Sequence, residues 1–304
     1  MSKIVITDTT WLVHRSLSVS ADRSSYPEMS TAVTVLGWIC DYAMRFNASH
    51  VAAAFEGGNC FRYRVYNDYK GAITKEVDEQ SIKDRQLREK ALDLTEHLLK
   101  KIGIEVIRRD GYEADDVAMS CATKLEESGH RTILVTRDKD YYQVVSDRIT
   151  VFHPKVGKNS PEILVTPDEV LNIKGLRPDQ MVDLQTLIGD GVDHIPSIVS
   201  LKEAKRILSK DSLEKWCKFT PEGQKFWKAN RSELVRNRQL VKAALDSYEP
   251  DMNKMALRFN KDFWDKAAER EYKLPYKEMN YSIPSSAREL FSALKKTSSM
   301  KKLF

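Results

Sequence analysis

Residues 3–8 read KIVITD, an apolar run rich in β-branched side chains that ends on a carboxylate. This composition predicts a buried parallel strand over 3–7, with Asp8 at its carboxyl end. A buried parallel strand needs helices on both faces of its sheet, so strand and helix patterns should alternate around it. The place of Asp8 matters as well, because ligands of open parallel sheets collect beyond the carboxyl ends of the strands.

The expected alternation is present through the first half of the chain. Helical spacing of apolar residues covers 31–46 and 114–128, and a charged helical stretch runs from Gln80 to Ile102. Further strand-like runs are found at 50–55, 104–107, 131–136 and 149–152. We therefore predict an α/β fold with a mostly parallel sheet flanked by helices.

The pattern changes after Pro167, where strand-like runs stop and helical patterns take over. These helical patterns cover 179–188, 202–208, 212–219 and 231–245. Because no Gly/Ser-rich linker separates the two parts, they are expected to pack together. We predict an α/β domain over 1–180 and an α-rich region over 181–304.

Composition limits the class of protein. The chain has 304 residues, of which 41% are hydrophobic and 31% charged, as is typical of a globular protein with a core. No apolar run approaches the roughly 20 residues of a membrane helix, and the first residues lack signal-peptide features. The four cysteines form no CxxC pair, which argues against a zinc site. We expect a cytoplasmic, monomeric protein with no membrane partner.

Charge is distributed unevenly along the chain. The whole chain carries a net charge of +5, and residues 251–304 alone hold twelve Lys or Arg and seven Asp or Glu. Basic surface at one end and carboxylates elsewhere suit a polyanionic substrate that meets bound cations. A solvated surface helix is the alternative interpretation of the basic end.

Acidic side chains gather in a few short segments. They follow strands at Asp8 and Glu56, and they recur in the segments GYEADD (111–116), TRDKD (136–140) and GDGVDHIP (189–196). Each segment taken singly could be a helix cap or a turn. If the strand ends gather them at one edge, however, each pair of carboxylates about 4 Å apart costs on the order of 4 kcal/mol.

Bound cations would relieve that repulsion. Oxygen ligands without His or Cys select hard ions, which points to Mg²⁺ or Mn²⁺. Two such ions side by side serve phosphodiester hydrolysis, because they activate water and stabilise charge on the phosphate.

In order and in type, these segments resemble the motifs of the flap endonuclease / 5′–3′ exonuclease family of PIN-like proteins, over about residues 3–210. DTTWLVHR, from Asp8 to Arg15, is similar to the family's opening motif, and FEGGNCFR with the later Tyr69 and Lys70 is similar to the next one. GYEADD, TRDKD and GDGVDHIP resemble the acidic motifs that follow. The resemblance implies a structure-specific 5′ nuclease that hydrolyses DNA or RNA–DNA near 5′ ends by two-metal-ion catalysis.

The resemblance implies two groups of metal ligands. Those of the first ion would be Asp8, Glu56, Glu113 and Asp115, with Asp116 nearby, and those of the second Asp138, Asp140, Asp190 and Asp193. Asp8, Asp115 and Asp138 would be catalytic through these ions, and Lys70 would stabilise charge beside the scissile phosphate.

The same resemblance implies contacts to branched or nicked DNA and RNA–DNA with a free 5′ end. The implied residues are Arg15, Arg62, Tyr69 and Lys70 near the cut, Lys83 and Arg85 in a helical arch over about 70–102, and Lys202, Lys205 and Arg206. Tyr69 would stack on a base and Arg62 would contact a phosphate. The region 181–304 would be a helix-hairpin-helix-like duplex-binding region with a basic tail. A solvated amphipathic helix is the alternative for the arch segment.

Several positions depart from the family pattern. Glu56 stands where the family usually has Asp, Arg137 where it has Gly, and Ile73 where it often has Arg. Three glycines of the family's hairpin are replaced by Ser197, Ser200 and Lys202, which argues against a K⁺ site. This loss, with the C-terminal segment REYKLPYKEMNY, resembles the phage-type RNase H branch, which removes primers.

Other readings stay open at this point. A PIN-type single-strand endoribonuclease would share the acidic rim, and a non-catalytic protein could bind branched DNA without cutting it. The end SSMKKLF resembles tails that bind sliding clamps, so a clamp or a single-strand-binding protein is a candidate partner. A frayed terminus is the alternative for that end.

Overall fold

The computed structural model describes residues 1–20, 24–72, 78–157, 160–209, 211–258, 272–273, 280–281 and 284–300. Its centre is a six-stranded sheet of order β3-β2-β1-β4-β5-β6. The strands are β1 Lys3–Asp8, β2 His50–Ala54, β3 Glu105–Ile107, β4 Arg131–Val135, β5 Ile149–His153 and β6 Ile163–Val165. The first five run parallel and β6 pairs antiparallel with β5, so the predicted mostly parallel sheet is confirmed.

Helices surround this sheet and continue beyond it. They are α1 Thr9–Ser20, α2 Pro27–Arg45, α3 Arg62–Val65, α4 Glu79–Ile102, α5 Ala114–Glu127, α6 Pro167–Lys174, α7 Met181–Ile188, α8 Leu201–Leu208, α9 Leu213–Phe219, α10 Pro221–Val241, α11 Met252–Met255 and α12 Ser285–Met300. Two short strands, β7 Tyr272–Lys273 and β8 Asn280–Tyr281, pair with each other. In the part of the chain that is described, no helix is both long and apolar enough to cross a membrane.

Both faces of the sheet are buried, as the apolar run at the start of the chain requires. Successive side chains of β1 point to opposite faces, so Ile4 and Ile6 pack in one core cluster and Val5 in the other. The first cluster includes side chains of α5 and of α7 to α10, and the second includes those of α1, α2, α4 and α12. The helical region therefore shares a core with the sheet.

The long helix α4 is buried over only part of its length. Asp78 caps its start by accepting a hydrogen bond from Ser81 N at 2.7 Å, and Gly103, whose φ is 85°, caps its end. Its first turns are exposed, whereas one face of the stretch from Ala91 to Ile102 packs in the core. Of the predicted arch, residues 73–77, which include the Ile73 departure, lie outside the described residues.

The predicted helix over 231–245 is wrong at its end. The observed helix α10 runs from Pro221, which Thr220 caps, to Val241. It has a kink at Asn230, whose φ and ψ of −123° and 19° are not helical, so the part after the kink begins where the helix was predicted to begin. The chain leaves the helix there because side chains of other elements take its backbone groups: Ala243 N donates to Gln143 Oε1 and Ala244 N donates to Asp116 Oδ1, both at 2.9 Å. Tertiary contacts thus overrule the helical pattern.

Candidate functional site

At the carboxyl edge of the sheet, a threonine links the carboxylate of Asp8 to the backbone of Asp138. Asp8 ends β1, and its Oδ2 accepts a hydrogen bond from Thr136 Oγ1 at 3.2 Å. The same Thr136 oxygen accepts from the backbone N–H of Asp138 at 3.1 Å. Because β1 and β4 are neighbours in the sheet, this bridge fixes the loop that carries Asp138 beside Asp8.

A second acidic group lies at the N-terminus of α5. Glu113, Asp115 and Asp116 each offer a carboxylate oxygen within 4.8 Å of the others. Glu113 is the N-cap residue, and the helix dipole favours negative charge at this end. Burial raises the pKa of Asp115 well above its usual value, and the charge of Asp116 adds to the increase.

Asp116 is neutralised by Arg62, which corrects the prediction that Arg62 contacts a phosphate. Both residues are buried, at 0% and 2% exposure. The Arg62 guanidinium donates to both oxygens of Asp116, at 2.5 and 2.8 Å, and also to Glu113 at 3.1 Å. With its Nε bound to Leu240 O at 2.6 Å, the guanidinium is enclosed by protein and does not reach the surface.

Glu113 also holds the segment that carries Tyr69 and Lys70. The Tyr69 hydroxyl donates to Glu113 at 2.8 Å, and the Lys70 ammonium forms an ion pair with the other carboxylate oxygen. The sequence predicts that the Tyr69 ring stacks on a base. Tyr69 is only 2% exposed, so in this conformation the ring is not accessible for such stacking. Lys70 adopts a φ of 55°, and its backbone N–H donates to Asp193 O at 3.0 Å.

The remaining carboxylates lie around the loop that follows α7. Backbone hydrogen bonds between Asp190 and Ile195, at 2.8 and 3.0 Å, close this loop. Gly189 precedes it with a φ of 65°, and a Cβ there would lie 2.2 Å from the Ile195 oxygen. Asp190 pairs with Lys139 Nζ at 2.7 Å, and Asp140 N donates to Asp138 Oδ1 at 2.9 Å.

The acidic side chains perturb one another's protonation. Burial raises the pKa of Asp8 to about 7, and the charges of Asp138 and Glu56 contribute to the increase. Burial also raises the pKa of Asp140 to about 7, again with a contribution from Asp138. Asp190 is the exception: burial opposes ionisation, but the hydrogen bond and charge of Lys139 outweigh it and lower its pKa.

The other predicted nucleic-acid contacts are placed at different depths. Arg15 is half-buried, with its guanidinium 4.6 Å from the Trp38 ring centroid and bound to the Lys155 carbonyl. Lys83 and Arg85 are exposed on α4, where they pair with Glu79 and Glu89. On α8, Lys202 and Arg206 are exposed and Lys205 is half-buried. Arg206 pairs with Glu203 at 2.7 Å and with Glu222 at 2.6 Å.

The sequence interpretation missed three residues of this edge. Thr136 bridges Asp8 and Asp138, and Gln185 donates to Asp140. Tyr141 is fully buried, and burial together with the charges of Asp8 and Asp115 raises its pKa. Thr136 and Tyr141 lie in or beside TRDKD, so their position was a signal. Gln185 has no such signal, because α7 reaches the edge only through the tertiary fold.

Comparison with known proteins identifies the class to which this site belongs. Residues 3–175 match the family model described as 5′-3′ exonuclease, N-terminal resolvase-like domain. The match covers more than half of the chain, so the chain belongs to the 5′–3′ exonuclease family. The family predicted from the motifs is thereby confirmed.

The relatives include a 5′-3′ exonuclease and several much longer DNA polymerase I proteins. The chain is 34% identical to DNA polymerase I of Mycobacterium tuberculosis over 206 residues, which is 65% of this chain and 22% of that protein. It is 32% identical to a 5′-3′ exonuclease of Aquifex aeolicus over 212 residues, which is 64% of this chain and 68% of the relative. The chain therefore spans about a fifth of the polymerase relatives.

The fold is also found among solved structures. The bacteriophage T5 D15 protein, co-crystallised with metal ions, aligns with a TM-score of 0.65 at 20% identity. The alignment covers 81% of this chain and 90% of the T5 protein. A second structure of that protein, described as a flap endonuclease, holds DNA and metal ions. At this identity the likeness supports the fold alone.

Proposed function

We propose that the chain is a divalent-metal-dependent 5′ nuclease that acts as a 5′–3′ exonuclease and flap endonuclease on DNA or RNA–DNA. One observation carries the proposal: carboxylates from four separate segments converge on one edge of the sheet. Burial raises the pKa values of Asp8, Asp115 and Asp140, and the charges of the neighbouring carboxylates raise them further. Membership of the exonuclease family supports the same activity.

The residues present fit Mg²⁺ or Mn²⁺. The donors are carboxylate oxygens, which hard cations prefer, and a bound cation would ionise the groups whose pKa burial now raises. The first cation would be held by Asp8, Glu56, Glu113 and Asp115. The second would be held by Asp138, Asp140, Asp190 and Asp193. Asp116 supports this set through Arg62, because its two oxygens already accept from the guanidinium.

Bound divalent cations supply Lewis-acid activation of water and neutralise charge that develops on the phosphate. Lys70 is a positively charged side chain of the same site, and its ammonium contacts Glu113. Burial would lower the Lys70 pKa, but the charge and hydrogen bond of Glu113 outweigh it, so the pKa is raised and the side chain stays charged. Released from Glu113, the ammonium would stabilise a phosphate.

Substrate binding follows from the exposed basic side chains. Lys83 and Arg85 lie on the exposed start of α4, and their ion pairs with glutamates are weak enough for phosphates to replace. Lys202, Lys205 and Arg206 on α8 would meet duplex phosphates. Arg15 would be a further nucleic-acid contact near the carboxyl edge of the sheet. We also propose that the α/β domain covers 1–180 and that the duplex-binding region, which includes α8, covers 181–304.

Several finer properties stay predictions. They are primer removal as in the phage-type RNase H branch, the monomeric state, the cytoplasmic location, and a sliding clamp or single-strand-binding protein as partner. The primer-removal and clamp predictions derive from REYKLPYKEMNY and from the tail, and most of REYKLPYKEMNY and the tail residues 301–304 lie outside the described residues.

A cleavage assay tests the proposal. End-labelled 5′-flap, nicked and RNA-primed duplexes and single-stranded RNA would each be incubated with Mg²⁺ or Mn²⁺. We expect cuts close to the 5′ end of the first three, with 5′-phosphate and 3′-hydroxyl products read at single-nucleotide resolution. Preference for single-stranded RNA would instead indicate an endoribonuclease.

The variant Asp138→Asn tests whether cleavage depends on the proposed metal ligands. It should lower cleavage by at least about 10²-fold while leaving flap binding intact, since a direct ligand matters more than its outer partners. Asp179→Asn is the control, because Asp179 is exposed and pairs with the exposed Arg177, outside the acidic segments. Binding without cleavage by the wild type would support the non-catalytic alternative.

A further inference from the structure

The side-chain amide of Gln185 on α7 reaches the carboxyl edge of the sheet, where the acidic residues gather (the acidic edge). Within the described part of the chain, only one of its two polar atoms has a hydrogen-bond partner there. Gln185 is 7% exposed and lines a small cavity together with Asp115, Asp140, Asp190 and Asp193. Its Nε2 donates to the carboxylate of Asp140. Its Oε1 is fully buried and has no hydrogen-bond partner among the described residues.

The orientation of this amide is fixed by its neighbour. Turning it over would place Oε1 against an oxygen of Asp140, so that two hydrogen-bond acceptors would face each other and the bond from Nε2 would be lost. The unpartnered atom is therefore the oxygen. A buried acceptor without a partner costs about 1–3 kcal/mol. The second amide of the cavity, Gln143, differs because its Oε1 accepts from Ala243 N at 2.9 Å.

The missing partner must be a donor that the described residues lining the cavity do not have free. Four aspartates line the cavity, and carboxylate oxygens accept hydrogen bonds. The donor side chains that also line it are engaged elsewhere: Arg62 donates to Asp116 and Glu113, Tyr69 donates to Glu113, and Gln143 Nε2 donates to Asp140 O at 2.8 Å. A hydrated cation brings such donors, because Mg²⁺ and Mn²⁺ keep several of their water molecules in protein sites. The free oxygen thus has the chemistry that the proposed cation requires.

We propose that Gln185 is a positioning residue of the metal site, with two functions. Its Nε2 holds Asp140 in place, and its Oε1 accepts a hydrogen bond from a water molecule of the hydrated divalent cation. This inference rests on the proposed metal-dependent function and adds a residue outside the acidic motifs.

Cation binding without DNA provides the test. Mn²⁺ would be titrated by calorimetry into the full chain, as wild type and as Gln185→Leu. We expect Gln185→Leu to bind Mn²⁺ about 10- to 100-fold more weakly, the usual effect of losing an outer partner of a ligand. In cleavage assays, raising the Mn²⁺ concentration should restore most of the lost rate.

Gln180→Leu is the matched control, because Gln180 is also buried beside α7 but bonds only backbone groups. Its Nε2 donates to Leu208 O at 2.7 Å and its Oε1 accepts from Arg177 N at 3.1 Å. This variant should lose stability yet keep wild-type Mn²⁺ affinity. If Gln185→Leu does not fold, Gln185→Asn replaces it: the shorter amide cannot hold Asp140 and reach the cavity together, so its affinity should also fall.

The outcomes separate the two proposals. Wild-type Mn²⁺ affinity in a folded Gln185→Leu or Gln185→Asn overturns the role of Gln185 alone. A wild-type chain that shows no saturable Mn²⁺ binding overturns the metal site and the role of Gln185 with it.

Discussion

Arg62 and Asp116 form a buried, two-pronged ion pair, with Nη1–Oδ2 and Nη2–Oδ1 distances of 2.5 and 2.8 Å. The same guanidinium donates to the backbone oxygens of Leu240 and Lys242, at 2.6 and 3.4 Å. Arg62 thus ties the end of α10 to the helix N-terminus that carries Glu113 and Asp116. The acidic edge and the helical region are built as one unit.

Removing Arg62 should therefore unfold the protein more easily. Arg62→Ala leaves Asp116 charged and buried, which costs about 3–5 kcal/mol in the free energy of unfolding. Chemical denaturation would measure this, with Arg177→Ala as the control, since its exposed pair with Asp179 contributes at most about 1 kcal/mol. If Arg62 contacted a phosphate instead, Arg62→Ala would weaken DNA binding and leave stability unchanged.

The stability of the metal-free protein should decrease as the pH rises, because of Asp8. Its pKa is raised from 3.8 to about 7 in the folded state, so its contribution is fully present below the unfolded pKa and is lost as the pH rises through about 7. Between about pH 5.5 and about pH 8.5, this carboxyl alone should cost about 2 kcal/mol.

Asp8→Asn isolates that effect. In the presence of a chelator it should be more stable than the wild type at the higher pH and show a flatter pH dependence. Thermal unfolding at several pH values measures the difference. Mn²⁺ should stabilise the wild type at high pH and stabilise Asp8→Asn much less. Identical pH profiles for both proteins would contradict the position of Asp8 in a crowded acidic edge.

Lys70 should act on the rate of cleavage rather than on cation binding. Lys70→Met keeps the length of the side chain but removes the charge, so cleavage should fall by about 10²- to 10³-fold, as when one electrostatic donor is lost. Mn²⁺ affinity should stay the same or increase, because the ammonium no longer competes for Glu113. Lys83→Met, on the exposed start of α4, is the comparison. A reduced Mn²⁺ affinity in Lys70→Met would argue against this role.

Duplex binding should draw on α8. Lys202→Ala combined with Lys205→Ala should weaken binding of a flap duplex and lower the slope of log K against log salt by about 2, roughly one for each lost phosphate contact. Fluorescence anisotropy with Ca²⁺ in place of Mg²⁺ measures this. Lys124→Ala on α5, which pairs with Glu249, should leave the slope unchanged. An unchanged slope in the double variant would remove α8 from the interface.

Exchange of K⁺ for Na⁺ at constant ionic strength should leave flap-duplex affinity unchanged. Hydrogen bonds already engage carbonyl groups in and beside the loop after Asp193. Ile198 N donates to the α7 carbonyl of Leu187 at 2.9 Å, and the Val199 carbonyl accepts from Ser197 Oγ at 2.7 Å. A carbonyl engaged in this way is a poorer cation ligand. Tighter binding specifically in K⁺ would contradict the argument from the missing glycines.

Much of the site was visible in the sequence because its residues follow strands. Asp8 and Asp138 were predicted to meet, and the parallel pairing of β1 with β4 places them together. Arg62 and Tyr69 were predicted to touch nucleic acid, yet both are buried against Glu113. Motif position does not tell whether a side chain turns inward, since this depends on which acidic group lies behind it.

The local pattern by itself determined β1 to β5 and the acidic segments, because periodicity and strand-end position are properties of neighbouring residues. The edge strand β6, Ile163–Val165, was not predicted, since three residues are too few to show a periodic pattern. The end of α10, the pairing of Arg62 with Asp116 and the place of Gln185 were decided only by tertiary structure. In each case the deciding contact joins residues at least 45 positions apart, as Gln185 and Asp140 are. Hydrogen bonds and charges at that separation exist only once the chain has folded.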